Sequence, residues 1–359
     1  MEIIQIVPHL PPAVCGVGDY ALSLAKELRH SHNIHTRFIV CDSDYEAKPK
    51  ANSFTATKVV AHSADGLTSL LRAAADKRAP VLLHYVGYGY QKRGAPLWLV
   101  NGLGAWRAAS RQCRLITMFH ELFAFGPPWR SSFWTSPMQR WLAARLARIS
   151  DSCVTNIRRY ARRLELWRPP DSESVKVLPV FSNVEESETR VAHRRNEMVI
   201  FGGCRWREAA YTKSSEDLIE VCRLLDIRRI HDIGPPLPAH FELPIKIEWH
   251  GILSSYRVKE IMRNALVGFF TYPTPFLAKS GIFAAYAAHG LTPVTMADNN
   301  EANEDELRLN RHFLTRSSLA DSPDAINEVG EKAHLWYSEH RLAAQARKYA
   351  AILTGAPLT

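Results

Sequence analysis

Three short stretches carry residues that could bind an anion or move a proton. Gly16-Val-Gly18-Asp19-Tyr20 follows an apolar run at residues 3–7 and opens a periodic stretch through Leu22, Leu24, Ala25 and Leu28. Glycines there let the backbone approach a ligand, and a helix start offers unbonded N–H groups and partial positive charge. A dinucleotide fingerprint needs a third glycine, which is missing; the loop reads as an anion-facing turn or as a tight strand–helix connection. Lys279-Ser280-Gly281 opens a run of small residues that stops at Gly290. Ser280 suits an N-cap, and the amides from Gly281 onward with the Lys279 ammonium would suit a diphosphate. The alternative is an ordinary capped helix with an exposed lysine. His120-Glu121 ends the apolar run at 115–119, either as an acid/base pair or as a strand end whose imidazole satisfies a carbonyl.

Other patterns point away from a resident metal. Asp42-Ser43-Asp44 has a metal-binding look but reads as a solvated loop. The 15 histidines include no HExxH, and pairs such as His30 and His32, or His62 and His84, read as surface or core residues. Six cysteines, at 15, 41, 113, 153, 204 and 222, form no CxxC and read as reduced, mostly buried thiols.

The elements that must position these residues alternate in type. Apolar runs at 3–7, 36–41, 81–85, 115–119 and 152–155 are separated by helical stretches at 20–28, 67–75, 97–110 and 138–150. The pattern breaks over 168–197 and restarts with strands near 198–201, 231–233, 246–249, 267–271 and 292–296. Helices are expected between them at 217–225, 255–264 and 282–289, with a last amphipathic one near 323–353. This predicts an α/β chain of two Rossmann-like doubly wound domains facing a cleft, with ligands beyond the carboxyl ends of the strands.

Composition agrees. The chain has 359 residues, 46% hydrophobic and 23% charged, which suits two globular domains and excludes disorder. No apolar stretch is long enough for a membrane span, and the acid at position 2 does not suit a signal peptide; a cytoplasmic place is expected. The net charge of +9 is concentrated: residues 101–168 hold 12 Arg, no Lys and three acids, an excess equal to that of the whole chain. Within this region Trp129, Phe133 and Trp134 precede Arg145 and Arg148. Aromatics with arginine suit an anionic membrane surface or stacked RNA; the alternative is core aromatics beside a solvated arginine face.

Taken in order, PHLPPAVCGVGDYALSLAKEL (8–28), HYVGYGY (84–90), FHE (119–121), LPVFSN (178–183), FGGCRWR (201–207), HGILSSYRVKEIMRNALVGFF (250–270) and KSGIFAAYAAHGLTPV (279–294) resemble the GT-B glycosyltransferases, family 4 and its bacterial polysaccharide and lipid-linked-glycan relatives most of all. The resemblance implies an acceptor-side domain at 1–180, a nucleotide-sugar donor domain at 181–330, and a C-terminal helix at 331–359, including Trp336–His340, that crosses back to the first. By this resemblance Arg205 or Arg207, followed by Lys213, sit where the family binds the donor diphosphate, with Gly281 at the helix terminus facing it. Gly16 and Gly18 resemble the loop near the donor phosphates, and His120 the histidine close to the transferred sugar. Tyr85, Tyr88 and Tyr90 line the acceptor side or pack beneath a loop. The implied reaction is retaining transfer of a hexose-type sugar to a glycan or lipid-linked acceptor, with no cofactor beyond the nucleotide-sugar donor. A peripheral place on the inner membrane face is expected, and no nucleic-acid partner. The family carries two glutamates eight positions apart before this glycine–proline strand, one holding the ribose hydroxyls; this sequence departs from it in having no acid between Phe276 and Ala297, and Ala285 stands where the second glutamate belongs. A nucleotide-sugar-binding protein without catalysis, or a nucleic-acid binder using the arginine region, remain the other readings.

Overall fold

The computed structural model describes residues 1–13, 15–46, 54–74, 79–186, 193–239, 241–296 and 303–356. They form two compact units, Met1–Leu178 with Leu342–Thr359, and Pro179–Arg341.

The first unit holds seven strands: β1 Glu2–Val7, β2 His35–Val40, β3 Thr55–Lys58, β4 Val81–Tyr85, β5 Leu115–Phe119, β6 Ser152–Thr155 and β7 Lys176–Val177. They pair in the order β3-β2-β1-β4-β5-β6-β7, every pair parallel. Strands covered on both faces must be apolar throughout, which is why β4 and β5 are buried at every position. Among the polar exceptions, Gln5 in β1 and His84 in β4 are large yet wholly buried. The helix Gly16–His32 buries Tyr20, Ala21, Leu22, Leu24, Ala25 and Leu28 and ends at Asn33, whose left-handed conformation (φ 51°) lets its N–H cap Leu28.

The second unit holds β8 Arg195–Phe201, β9 Arg229–Ile233, β10 Lys246–Gly251, β11 Ala265–Phe270, β12 Thr292–Thr295 and β13 Leu314–Thr315. Their order is β10-β9-β8-β11-β12-β13, again all parallel. The helix Gly281–Ala288 lies close on β11 because Gly268 has no side chain; a Cβ there would stand 2.4 Å from the Tyr286 ring.

Two differences from the sequence reading matter. A helix spans Cys204–Thr212, where only a turn is expected. The stretch near 323–353 is two helices, Ile326–Ser338 and Leu342–Thr354, and only the second belongs to the first unit, so Trp336 and Tyr337 stay in the second. Each half's apolar stripe serves a different core: the Tyr337 hydroxyl accepts from the Ser182 N–H at 2.8 Å, whereas Tyr349 meets the Tyr20 hydroxyl at 3.3 Å. All six cysteines are free and four are buried.

Candidate active site

In a parallel sheet whose strand order reverses, the loops leaving the two strands at the reversal diverge and open a crevice. In the second unit that point lies between β8 and β11. The β8 loop is Gly202-Gly203, leading into the helix Cys204–Thr212, and the β11 loop runs through a 3-10 turn, Thr274–Lys279, into the helix Gly281–Ala288. The two helix starts are adjacent: a Cβ on Gly202, which holds φ +124°, would stand 2.7 Å from Ile282 Cδ1. Both starts have room in front of them. A Cβ on Gly203 would meet nothing within 4 Å, and one on Gly281 would meet only Asn183 Oδ1 at 3.5 Å. Ser280 caps the second helix, its Oγ accepting from the Phe283 N–H at 3.2 Å. The divergence itself is stitched by the Tyr286 hydroxyl, which accepts from the Phe201 N–H at 3.0 Å and lies 3.1 Å from the Val199 and Phe269 carbonyls. Ala285 beside it is wholly buried, so that helix position presents nothing to a ribose.

The cations divide. Arg205 is exposed in the first turn of its helix, its guanidinium 5.1 Å from the Trp206 ring, and Trp206 packs on Tyr272 of the β11 loop. Lys279 is half-buried, its Nζ 5.6 Å from the Phe276 ring. Lys213 is exposed at the far end of the helix, about 12 Å along its axis from Arg205. The neighbouring Ser214 touches Met296, just past β12, so this end too lies at the carboxyl edge of the sheet. Arg207 corrects the sequence reading. It is 2% exposed, its fork is closed on the Asp232 carboxylate, and it also donates to the Pro235 carbonyl at 2.5 Å. Tyr211 donates to the same carboxylate at 2.8 Å. A buried guanidinium so engaged is a structural group that braces the β8 and β9 loops, not an open cation. Beside this pair a cavity of about 240 Å³ is bounded by Gly234, Leu237, Trp249 and Gly251. A larger cavity of about 480 Å³, bordered by Arg308, Arg311, His312, Lys332 and Trp336, includes no residue of the β8 and β11 loops.

In the first unit the strand order reverses between β1 and β4. The β1 loop leads to Gly16, which is open, and to Gly18, where a Cβ would stand 2.3 Å from the His9 carbonyl oxygen. Gly18 is therefore required by the turn itself. Asp19, in the first turn of the helix, has its carboxyl pKa raised by burial. His120 follows β5 and is 8% exposed, its N–H bonded to the Tyr85 carbonyl at 3.0 Å; Glu121 is exposed. What stands behind His120 is not expected from the sequence. Gln5 donates from Nε2 to Thr36 Oγ1 at 3.1 Å and presents Oε1 to His84 Nε2 at 2.8 Å, while His84 Nδ1 lies 3.2 Å from His120 Nε2. With His84 neutral and donating to Gln5, its Nδ1 accepts from His120, which fixes the tautomer of both rings. Burial, and then the His120 ring, hold the His84 pKa well below its ordinary value. The available signal was one polar residue inside each of two apolar runs, Gln5 within 3–7 and His84 within 81–85.

Two of the three tyrosines are core. Tyr85 is wholly buried against Phe119, and Tyr90 is 3% exposed, its hydroxyl bonding the Ile6 and His84 carbonyls at 3.1 and 2.8 Å. Neither lines an acceptor site. Tyr88 is 43% exposed and accepts from Gln139 Nε2 at 3.3 Å. The aromatic stretch, in contrast, is open: Phe125, Trp129, Phe133, Trp134, Met138 and Trp141 are all exposed on the loop before the helix Ser131–Ile149 and on its first half. Arg148 is exposed nearby, and Arg145 donates to Asn101 at 2.5 Å with its guanidinium 5.4 Å from the Trp141 ring. Among the described residues, no helix is long and apolar enough to cross a membrane.

No protein-family model matches the chain, and no curated protein matches it in sequence. Solved structures do match. The lipopolysaccharide outer core galactosyltransferase WaaB superposes with a TM-score of 0.60 at 12% identity, covering 99% of this chain and 100% of that one. A glycosyltransferase from Rickettsia africae gives 0.56 at 11%, covering 99% and 98%. The UDP-GlcNAc 2-epimerase from Neisseria meningitidis, bound to UDP-GlcNAc, gives 0.56 at 9%, covering 99% and 100%. The chain has the GT-B type of fold. Identities this low establish architecture and not chemistry, and the architecture is shared here by transferases and an epimerase.

Proposed function

We propose that this chain is a glycosyltransferase that moves a hexose-type sugar from a nucleoside diphosphate donor to a glycan or lipid-linked acceptor. The observation that carries the reading is the pair of helix starts at the β8–β11 reversal, side by side and open in front of Gly203 and Gly281. Loss of the sugar leaves charge on the diphosphate, and amides and cations aimed at that charge lower the barrier without a metal. In this reading Arg205, Lys213 and Lys279 neutralise the diphosphate, the amides from Gly281 and the Ser280-capped turn bind it, and Arg207 holds the loops in place. The base lodges in the cavity beside Trp249. The first unit supplies His120, oriented by His84, with Glu121, Asp19 and the Gly16 loop, and Tyr88 on the acceptor side. Transfer with retention of configuration completes the proposal. The exposed aromatics at 125–141, with Arg145 and Arg148, support a peripheral place on an anionic inner membrane face.

A second reading has one observation in its favour: with Ala285 buried and no acid from Phe276 to Met296, a nucleotide-sugar site could bind without turning over. Incubation of the purified chain with UDP-, GDP- and ADP-sugars and membrane-extracted acceptors separates the two. The transferase reading predicts release of nucleoside diphosphate that depends on His120 and on acceptor. Saturable donor binding with no release supports the binding protein instead.

A further inference from the structure

A face of the second sheet, away from the β8–β11 reversal, gathers side chains that the transfer reaction does not use. His231 of β9 lies in register with Glu248 of β10, which puts those two on one face, and an irregularity in β10 between Trp249 and Gly251 falls at His250, whose ring stacks on that of His231 with centroids 5.2 Å apart. Asp232, with the opposite parity, points to the other face and its Arg207 partner. His231 Nδ1 is 2.9 Å from His250 Nε2 and 3.6 Å from Glu248 Oε2, and the last two atoms are 3.9 Å apart.

We propose that His231, Glu248 and His250 form a binding site for a divalent transition-metal ion of the zinc class. Two imidazole nitrogens and one carboxylate oxygen suit zinc and its neighbours and not magnesium or calcium, which take oxygen donors. A tetrahedral ion with bonds of about 2.0–2.2 Å keeps its donors about 3.3 Å apart, so adjustments of about half an ångström convert the cluster into three corners of that geometry. The fourth corner is left for water or another ligand.

The surroundings are arranged for ligation. His231 Nε2 is 3.1 Å from Glu197 Oε2 on β8. A carboxylate can only accept, so the ring carries its proton on Nε2 and turns the Nδ1 lone pair to the cluster, the carboxylate–histidine–metal arrangement that orients a ligating imidazole. Glu248 is divided in the same sense: Oε1 pairs with Arg229 and Lys246, each at 3.1 Å, while Oε2 faces the two histidines. Without metal the two rings satisfy each other through one proton, which His250 then carries on Nε2. Binding the ion moves that proton to His250 Nδ1 and ties the edge strand β10 to β9.

The test is titration of the untagged full-length chain with Co²⁺, read by its visible absorption, and competition with Zn²⁺. The expected result is one saturable site per chain, with Zn²⁺ displacing Co²⁺ and raising the melting temperature. His250→Ala and Glu248→Gln, both at partly exposed positions, should each weaken binding by more than about 100-fold. Glu197→Gln should weaken it about 10–100-fold, the usual effect of losing an outer partner. A His30→Ala/His32→Ala double variant should change nothing. Circular dichroism establishes that each variant is folded. Absence of a saturable one-to-one signal, or an unchanged Co²⁺ spectrum in folded His250→Ala and Glu248→Gln, overturns the proposal.

Discussion

At the scale of single residues, the distinction between a glycine that a turn requires and one that leaves space is testable. Gly18→Ala pushes a Cβ into the His9 carbonyl oxygen, a backbone atom that cannot rotate away, and should lower stability by about 1–3 kcal/mol in urea denaturation. Gly16→Ala, with nothing within 4 Å, should cost nothing or stabilise slightly through the unfolded chain. Equal losses for the two would contradict the turn geometry. His84 makes a second prediction, in pH. Its folded pKa is depressed by burial, so below about pH 6.5 the unfolded chain binds a proton that the folded one refuses, and stability falls as pH falls, by at most about 1.4 kcal/mol per pH unit for this one group. His250 and His289 shift in the same direction, also chiefly by burial, and His312 is pushed down to about 4 by burial and by Arg311 and Arg308. The urea midpoint should therefore drop from pH 7.5 to pH 5.5, and drop less in His84→Gln. What the sequence could not show at this scale was partnership. Arg207 and Arg205 are two positions apart and equally cationic, but only the fold reveals that Asp232, in a strand 25 residues on, closes around one of them.

Among the elements, long apolar runs were legible and short or exposed ones were not. VLLHY at 81–85 and LITMF at 115–119 read as buried strands because nothing else explains five uninterrupted buried positions. β3, exposed at the sheet edge, and the two-residue β7 and β13 carry no such signature; tertiary pairing alone defines them. The helix Cys204–Thr212 was hidden for a related reason: it buries little beyond Arg207, Ala210 and Tyr211 and so lacks a clear apolar stripe. The helix Ser131–Ile149 is legible in its second half, where Leu142, Ala143, Leu146 and Ala147 are buried, while its first half exposes aromatics that a core helix would cover. Those aromatics predict that the chain sediments with vesicles of anionic lipid and not with neutral ones. Trp129→Ser/Trp134→Ser should weaken that binding about tenfold or more, and added salt should weaken it further. Equal binding to both vesicle types, or no effect of the double substitution, would argue against a membrane role for this surface.

Across the whole molecule, the two-sheet plan was readable because the strand–helix alternation stops and restarts around residues 168–197. The return of the C-terminus was only partly so, since a helix boundary without glycine or proline, at 338–342, leaves little trace in sequence. The last helix contributes Ala346, Tyr349, Ile352 and Leu353 to the first unit's core, against the helix Gly16–His32. A chain ending at Arg341 should therefore lose stability in the first unit while the second still melts as in the full chain; two calorimetric transitions, only one of them shifted, would show it. Everything functional in the account turns on whether the second unit grips a diphosphate at the β8–β11 reversal. Thermal-shift titration with UDP, GDP, ADP and CMP is the direct measurement, since a ligand at 100 times its Kd adds about 2.7 kcal/mol to the folded state. At least one nucleoside diphosphate should raise the melting temperature of the wild-type chain by several degrees, and Lys279→Ala and Arg205→Ala should each abolish most of that rise without lowering the ligand-free value. No shift with any diphosphate, or a shift untouched by both substitutions, would contradict the assignment.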